Sequence, residues 1–124
     1  MNESATLLCF GLDGERMKLL EGMAVMQGMR VRRVMREEAA MPLEEILRRK
    51  EPEGGTPFPG MMLVMCHLSD PALDMVLKEL SRGGPRTAIP LKAVLTSANR
   101  RFRPMELMMH LMSESEKIRN AGRK

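Results

Sequence analysis

The chain has 124 residues and a mass of 14.0 kDa, enough for one hydrophobic core and too short for two. Hydrophobic residues make up 44% of the chain and charged residues 29%, a balance typical of a globular domain. The longest apolar run, residues 61–66, is far shorter than the roughly 20 residues that span a bilayer. The first residues carry no basic region of the kind that opens a signal peptide. We therefore expect a cytoplasmic protein without membrane contact.

The cysteine and histidine content argues against a disulfide scaffold, a metal site or a bound cofactor. Cys9 and Cys66 both lie in apolar runs and lack the spacing of zinc ligands, so we expect buried, reduced thiols. His67 and His110 have no clustered acid or thiol beside them, which makes a poor set of metal ligands.

The net charge of +4 comes from 20 basic and 16 acidic residues, and the basic residues form clusters rather than one run. Such clusters can bind phosphates, although exposed edge strands and helix faces have the same composition. The chain has three Phe and no Trp or Tyr, which argues against the stacking platforms that bind single-stranded nucleic acids. We interpret the basic clusters as solvent-exposed faces of strands and helices and keep weak nucleic-acid binding as an alternative. The clusters lie at residues 30–36, 48–50, 100–103 and 117–124.

Methionine is unusually frequent, with 15 residues in the chain. Met23, Met26 and Met29 recur at a regular spacing, and thioethers can bind copper. The same positions trace the inward face of a predicted helix, so we interpret these side chains as core residues.

In chain order, the first half is predicted to form a strand, a helix, a strand and a helix. Residues 5–10 are an apolar run typical of a buried strand. A helix is predicted next, with Asp13 as its N-cap and Gly28 at its C-terminal end. Residues 31–36 mix valine with arginine, as an exposed edge strand does. A short helix is expected at residues 42–47, with proline in its first turn.

The second half repeats this order. Residues 91–95 fit either a strand or a short helix, and the pattern does not distinguish the two. The expected elements are a buried strand at 61–66, a helix capped by Ser69 and ended by Gly83 and Gly84, a strand at 86–89 before Pro90, and a helix from Pro104 to about Ile118.

We interpret the repeated order as a duplication within a single α/β domain that spans residues 1–124. An offset of 56 residues places Leu7 on Leu63 and aligns the two predicted N-caps. The segment between the halves is dense in proline and glycine, so we expect it to be exposed and mobile. The expected segments are the first β-α-β-α unit at residues 1–49, a connector at residues 50–60 and the second unit at residues 61–120.

These elements predict a four-stranded, mostly parallel sheet with strand order 2-1-3-4 and helices on both faces. Each β-α-β unit crosses over in the right-handed sense to a parallel neighbour. Two such units placed back to back put the two fully apolar strands at the centre, where parallel strands are buried on both faces. The alternative is a ferredoxin-like α+β fold with an antiparallel sheet.

In an open parallel sheet, ligands bind beyond the carboxyl ends of the strands, where the strand order reverses. That rule predicts a crevice between the loops after the first and third strands. Neither loop matches a phosphate-binding motif, and no nucleophile, base and acid converge, so no catalytic residue is assigned. The expected ligand- or partner-binding residues of the crevice are Gly11, Asp13 and Gly14 from one loop, and His67, Ser69 and Asp70 from the other.

Residues 89–102 are the most distinctive segment of the chain. Lys92 stands alone in an apolar run, where its ammonium must reach water or an acidic partner. Thr96 and Asn99 are short polar residues that shape turns through local hydrogen bonds. We include these three among the candidate binding residues.

The same segment is similar to a known family. The shared features are the string Ile89-Pro-Leu-Lys-Ala-Val-Leu-Thr96, followed by Asn99 and an aromatic residue at Phe102. Over about residues 61–112 the chain resembles a bacterial family described as domain of unknown function 3783, in which tryptophan typically stands in place of Phe102. The resemblance implies that the lysine, threonine and asparagine are characteristic of the family, and it implies no known activity.

The sequence therefore favours a small binding or regulatory module without catalysis, for either a protein partner or a small ligand. A protein partner is slightly favoured, because methionine-rich surfaces and exposed edge strands promote association. Weak electrostatic binding of nucleic acid is the first alternative, and an enzyme that uses His67 in the crevice is the second. We expect a monomer or a homodimer.

Overall fold

The computed structural model describes residues 4–121, and it describes side chains as far as residue 114. The side chains of the basic cluster predicted at residues 117–124 lie outside that range. Between residues 4 and 121, no helix is both long enough and apolar enough to cross a membrane.

Four strands and four helices alternate in the described part of the chain. Short 3₁₀ turns lie at Arg36–Glu38 and Gly84–Arg86. The strands and helices are β1 (Thr6–Phe10), α1 (Gly14–Gln27), β2 (Arg30–Val34), α2 (Leu43–Arg48), β3 (Met62–Cys66), α3 (Asp70–Arg82), β4 (Leu91–Val94) and α4 (Pro104–Ala121).

The predicted caps of α1 and α3 are present. The Asp13 side chain accepts a hydrogen bond from the Arg16 backbone N–H at 3.0 Å, and Ser69 Oγ accepts one from the Ala72 N–H at 3.3 Å. Gly28 ends α1 with a φ of 67°, a left-handed conformation that glycine adopts without steric penalty. Each cap follows closely after a strand, so β1 and β3 lead into their helices through short, defined loops.

The sheet has the predicted strand order, β2-β1-β3-β4. β1 pairs with β2 in parallel, and so does β3 with β4, which excludes the fully antiparallel, ferredoxin-like alternative. The central pair differs from the prediction, because β1 and β3 run antiparallel, with Thr6 opposite Cys66 and Phe10 opposite Met62. The sheet is therefore mixed, although most of its strand pairs are parallel.

The path of the connector explains the antiparallel central pair. After α2 the chain returns along the outer edge of β2, from the amino end of that strand to its carboxyl end. β3 therefore begins at the end of the sheet where β1 and β2 finish, and it has to run back in the opposite direction. Three hydrogen bonds mark this path in order: Arg30 Nη2 to Leu47 O (2.9 Å), Arg33 N to Glu51 Oε1 (2.6 Å) and Arg36 N to Thr56 O (2.9 Å).

The connector is more firmly anchored than its proline and glycine content predicts. The Glu37 carboxylate accepts hydrogen bonds from the Thr56 N–H at 2.9 Å and from the Thr56 hydroxyl at 2.7 Å, and these bonds lower the pKa of Glu37. Phe58 is buried and packs edge-on against Phe10, with 5.3 Å between the ring centroids. The connector thus covers the outer edge of β2.

β4 lies at Leu91–Val94, so the open choice for residues 91–95 is resolved as a strand. The prediction of a strand at residues 86–89 is wrong, because a 3₁₀ turn begins this segment and Ile89 is buried in the core beside α1 and α3. Pro90 has no N–H to donate to a neighbouring strand, and it directly precedes β4, a position that proline tolerates.

Helices cover both faces of the sheet, as predicted. α1 and α3 pack together over one face, and α2 and α4 cover the other. Met23 is buried on the inner side of α1, but Met26 is 83% exposed, so the interpretation of Met26 as a core residue is wrong. A helix turns 100° per residue, and a spacing of three therefore drifts about 60° around the helix at each step.

Cys9 and Cys66 are free and buried, and they belong to the cores on opposite faces of the sheet. Burial raises the pKa of each thiol to about 12. Both cysteines therefore behave as uncharged core residues.

Arg32 is buried, with 2% of its surface exposed, although it belongs to a strand that the sequence predicts to be exposed. Its guanidinium forms a two-point ion pair with the Glu38 carboxylate, and both N–O distances are 2.7 Å. It also donates to the carbonyl oxygens of Arg33, Arg49 and Lys50. Arg32 therefore fixes the end of α2 and the start of the connector against β2.

Acid is expected to weaken the fold through Glu38. Burial by itself raises the pKa of Glu38, but hydrogen bonds from Arg32 and from the Met35 N–H, together with the Arg32 charge, hold that pKa below its ordinary value. A carboxyl with a lowered folded-state pKa adds stability above its unfolded pKa of about 4.3, and this stability is lost as the pH falls through the folded pKa.

We therefore expect the free energies of unfolding of the wild type and of Glu38→Gln to converge as the pH falls below about 4.3. Denaturant titrations at a series of pH values measure both free energies. A difference that stays constant from neutral pH into acid would contradict this role of Glu38.

Candidate functional site

The two loops of the predicted crevice lie at opposite ends of the sheet. Because β1 and β3 are antiparallel, the carboxyl end of β1 lies beside the amino end of β3. The two ends of these strands are about 13 Å apart. A single crevice lined by loop 11–14 and loop 67–70 is therefore not formed, and the prediction that one site uses both loops is wrong. The binding roles of the individual residues stay predictions.

A cavity of about 370 Å³ opens at the end of the sheet where β3 and β4 finish. It brings together two of the candidate residues, His67 and Thr96, and three arginines. Glu44 lines the same cavity, and leucine side chains add apolar surface. We call this cavity the basic cleft; its basic and hydroxyl-bearing lining residues are Ser4, Thr6, Arg30, Arg48, His67, Thr96, Ser97 and Arg100.

Each arginine reaches the basic cleft from a different element. Arg30 is the first residue of β2, and its Nη2 donates to the Leu47 carbonyl at 2.9 Å. Arg48 lies in the last turn of α2, and Arg100 follows β4, with its Nε 3.6 Å from Glu44 Oε2. In the sequence these residues belong to three separate basic clusters. Nothing in their spacing indicates that they converge, since the fold of the whole sheet brings them together.

A tight turn after β4 forms one wall of the basic cleft. The Thr96 N–H donates to Asn99 Oδ1 at 2.8 Å, and the Asn99 N–H donates to Thr96 Oγ1 at 3.1 Å. Asn99 Nδ2 also donates to the Val94 carbonyl at 3.0 Å, and Lys92 Nζ donates to the Ile89 carbonyl at 2.7 Å. All three residues singled out by the family resemblance therefore make local hydrogen bonds that shape β4 and the turn.

The loop after β4 also holds the start of α2. The Leu43 N–H donates to the Phe102 carbonyl and the Glu44 N–H donates to the Arg100 carbonyl, both at 2.9 Å. A helix leaves its first backbone N–H groups without partners inside the helix, and here the loop supplies those partners. The contact fixes a helix of the first half against a loop of the second half at the basic cleft.

His67 has an unusual backbone conformation. Within the described residues it is the one non-glycine position with a positive φ, at 59°. For a residue with a Cβ, the left-handed conformation costs about 1–2 kcal/mol. Gly11 occupies the corresponding position after β1, 56 residues earlier, with a φ of 60°. The same loop geometry thus uses glycine in one half of the chain and histidine in the other.

The other end of the sheet has a cavity of about 250 Å³. It contains the candidate residues Gly11 and Gly14, and its lining is mainly apolar, with Arg33 at the rim. This cavity has one arginine where the basic cleft has three, so it is less suited to an anionic ligand.

The remaining candidates, Asp13, Ser69 and Asp70, lie at helix starts. Asp13 Oδ2 forms an ion pair with Arg16 Nη1 at 2.7 Å in addition to capping α1. Ser69 caps α3 and Asp70 is the first residue of that helix. In the part of the chain that the structure describes, no three His, Cys, Asp or Glu side chains are grouped so that they could hold a metal ion.

Exposed apolar side chains lie on α4. Met105, Met109 and Met112 are 42%, 67% and 53% exposed, and their spacing places them in one stripe along the helix. An exposed edge strand at β2 would favour a protein partner, but the connector covers that edge. The stripe on α4 still fits a protein partner.

Together these features define a small α/β domain with a four-stranded mixed sheet and a basic cleft at one end. Residues 61–118 match the family model described as Domain of unknown function (DUF3783), so the resemblance predicted for this part of the chain is confirmed. The match runs from the start of β3 into α4 and includes the turn at Thr96–Asn99. No curated protein and no solved structure matches the chain.

Proposed function

We propose that this domain binds a small anionic ligand in the basic cleft, without catalysing its conversion. The observation that carries this proposal is the convergence of Arg30, Arg48 and Arg100 on one cavity of about 370 Å³. Cavities of roughly 300–1,000 Å³ are typical of small-molecule sites. The proposed ligand carries a phosphate or a carboxylate group.

Charge and hydrogen-bond donors support this choice of ligand. Three guanidiniums against the carboxylate of Glu44 leave an excess of two positive charges around the cavity. Guanidinium groups bind phosphate and carboxylate in bidentate geometry, and the resulting hydrogen bonds are stronger than those between neutral groups. Thr96 and Ser97 add hydroxyl groups at the same wall.

The structure offers less support for a nucleic-acid surface. Arg32, a member of the first basic cluster, is buried in its ion pair with Glu38. Arg103, a member of the third cluster, donates to the Ala40 carbonyl at 3.0 Å and lies near Glu106. The clusters are therefore not equally available to a phosphate backbone, and a confined anion site fits the geometry better.

We expect Arg48→Ala and Arg100→Ala each to weaken binding of inorganic phosphate about tenfold, because each removes charge-assisted hydrogen bonds. Isothermal titration calorimetry at low ionic strength measures the affinity. The matched control is Arg82→Ala, which removes the same charge from an exposed position at the far end of α3.

Equal losses in all three variants would show that overall charge, not the basic cleft, attracts the anion. Absence of phosphate, sulfate and acetate binding by the wild type would overturn the proposed function. Binding of long nucleic acids with a steep salt dependence would instead support the electrostatic alternative.

We also propose a cytoplasmic location. Its support is chemical: the two cysteines are free and belong to separate cores, as in proteins of reducing compartments. Fractionation of the cells that produce the protein tests the location directly.

A further inference from the structure

We propose that the outer edge of β4 pairs with the same edge of a second copy of this chain, in antiparallel orientation and with Lys92 of one copy opposite Lys92 of the other. The contact is a twofold one, in which both copies use the same surface. It joins the two sheets into one. This inference is independent of the ligand proposed for the basic cleft.

β4 is the open edge of the sheet. β2 and β4 are the two edge strands, and the connector covers the outer side of β2. Among the described residues, β4 pairs with β3 alone, and no backbone group from elsewhere in the chain bonds to its other side. An unpaired strand edge is a template on which a further strand can be added. A partner strand therefore finds open hydrogen-bonding positions on β4 and not on β2.

The pairing of β4 with β3 determines which backbone groups face outward. The Leu95 N–H donates to the Met65 carbonyl at 2.9 Å, so Leu95 and every second residue before it face β3. The residues between them, Lys92 and Val94, direct their N–H and C=O groups away from β3. The Pro90 carbonyl points outward by the same alternation. These groups form the edge that a second strand would meet.

Two features make this edge complementary to itself. Pro90 has no N–H, and the Val94 carbonyl already accepts a hydrogen bond from Asn99 Nδ2 at 3.0 Å. With Lys92 opposite Lys92, each Val94 lies opposite Pro90 of the second copy, so the missing donor faces a carbonyl that already has one. Each Lys92 N–H then donates to the Lys92 carbonyl of the second copy, and each Val94 N–H donates to the Pro90 carbonyl.

This match favours a second copy over an unrelated strand. Lysine and proline on a short edge strand discourage pairing with arbitrary strands, so a partner has to fit these positions. A shift that placed Lys92 opposite Val94 would direct the Lys92 N–H at the carbonyl that Asn99 already occupies. The register with Lys92 opposite itself gives every outward N–H its own acceptor.

The side chains fit the same register. Val94 is 44% exposed, and in the pair it would pack beside the exposed Pro90 ring of the second copy. Two lysines directly opposite each other would ordinarily repel. However, Lys92 Nζ donates to the Ile89 carbonyl of its own chain at 2.7 Å. Because the strands run in opposite directions, the two Ile89 residues lie at opposite ends of the contact, and the two ammonium groups point apart.

Sedimentation velocity of the full chain at a series of concentrations tests the association. The contact is small, so we expect the mass to rise from 14.0 kDa toward twice that value as the concentration increases. Val94→Pro removes one outward donor from each copy and keeps the bonds to β3, and it is expected to weaken the association about tenfold or more. The matched control is Val94→Thr, which keeps the N–H and the branched side chain and is expected to stay within about threefold of the wild type.

Two further measurements do not depend on how the fold tolerates the proline. In the wild type, the Lys92 and Val94 amide hydrogens are expected to exchange more slowly with solvent as the protein concentration rises. Lys92→Cys is expected to form a disulfide between copies under mild oxidation, because opposite Cα atoms lie about 5.5 Å apart. Val94→Cys is expected not to do so, since the two cysteines would be about 13 Å apart along the strands.

A wild type that stays monomeric up to about 1 mM would overturn the proposal. So would a dimer in which the Lys92 and Val94 amides exchange as fast as in the monomer. Cross-linking through Val94→Cys in place of Lys92→Cys would show that the register is wrong. An association that Met109→Ser abolishes and Val94→Pro leaves unchanged would place the interface on the exposed stripe of α4 instead.

Discussion

Replacing Arg32 with methionine is expected to lower the free energy of unfolding by about 3–5 kcal/mol. Methionine preserves much of the side-chain volume but leaves the Glu38 carboxylate, which is 5% exposed, without its cationic partner. The backbone carbonyls of Arg49 and Lys50 lose a donor at the same time. Urea titration followed by circular dichroism measures the change, and the midpoint is expected to move to much lower denaturant concentration.

The neighbouring Arg33→Met variant is the matched control. Arg33 is exposed on the same strand, so its replacement is expected to change the free energy of unfolding by less than about 0.5 kcal/mol. A double variant, Arg32→Met with Glu38→Gln, is expected to lose about 1–3 kcal/mol less than the sum of the two single changes, because the two side chains act as a pair. Equal effects of Arg32→Met and Arg33→Met would show that the buried pair does not stabilise the fold.

The strand order of this sheet is readable from the sequence because burial leaves a clear pattern. The continuous apolar runs that became β1 and β3 are the central strands, and the arginine-rich β2 is at an edge. The relative direction of β1 and β3 leaves no such pattern, since a strand buried on both faces is apolar whether its neighbour is parallel or antiparallel. The direction depends on the connector, whose course along β2 is determined by contacts such as those of Glu37 and Glu51.

The position of β4 shows a different limit of sequence reasoning. Residues 86–89 have a composition that a strand tolerates, but Gly84 and Pro85 favour a turn, and Thr87 extends it by donating from its hydroxyl to the Leu80 carbonyl at 2.7 Å. Eight residues separate α3 from β4, whereas two separate α1 from β2. The two halves therefore align at their first strands and helices and differ in the return to the sheet.

The candidate site was harder to predict than the fold, because its residues come from five separate segments of the chain. Local sequence patterns indicate His67, which follows an apolar strand, and Thr96, which shapes a turn. The structure places both residues in the basic cleft. The three arginines were visible as charge clusters, but charge alone does not separate Arg48 in the cleft from Arg32 in a buried ion pair. The two arginines can be distinguished only when the orientation of each side chain relative to the sheet is known.

Gly11→Ala is expected to lower the free energy of unfolding by about 3–4 kcal/mol, the second large effect. A Cβ at this position would overlap the Gly60 carbonyl oxygen and approach the Phe58 carbonyl oxygen to 2.6 Å. Both overlapping atoms belong to the backbone of the connector. The overlap can therefore be removed only if the connector moves away from β1, and Phe58 would then lose its contact with Phe10. The positive φ of Gly11 adds the ordinary strain of a left-handed residue.

Gly28→Ala separates these two contributions. Gly28 also has a positive φ, of 67°, but a Cβ there would meet no other atom within 4 Å, so the expected loss is the conformational strain alone, about 1–2 kcal/mol. Thermal and urea unfolding of the two variants, measured side by side, give the difference that belongs to the connector. If both alanine variants lose the same stability, the close approach of the connector to Gly11 does not hold in solution. A larger loss at Gly11 would show that the packing of the connector against the end of β1 stabilises the fold.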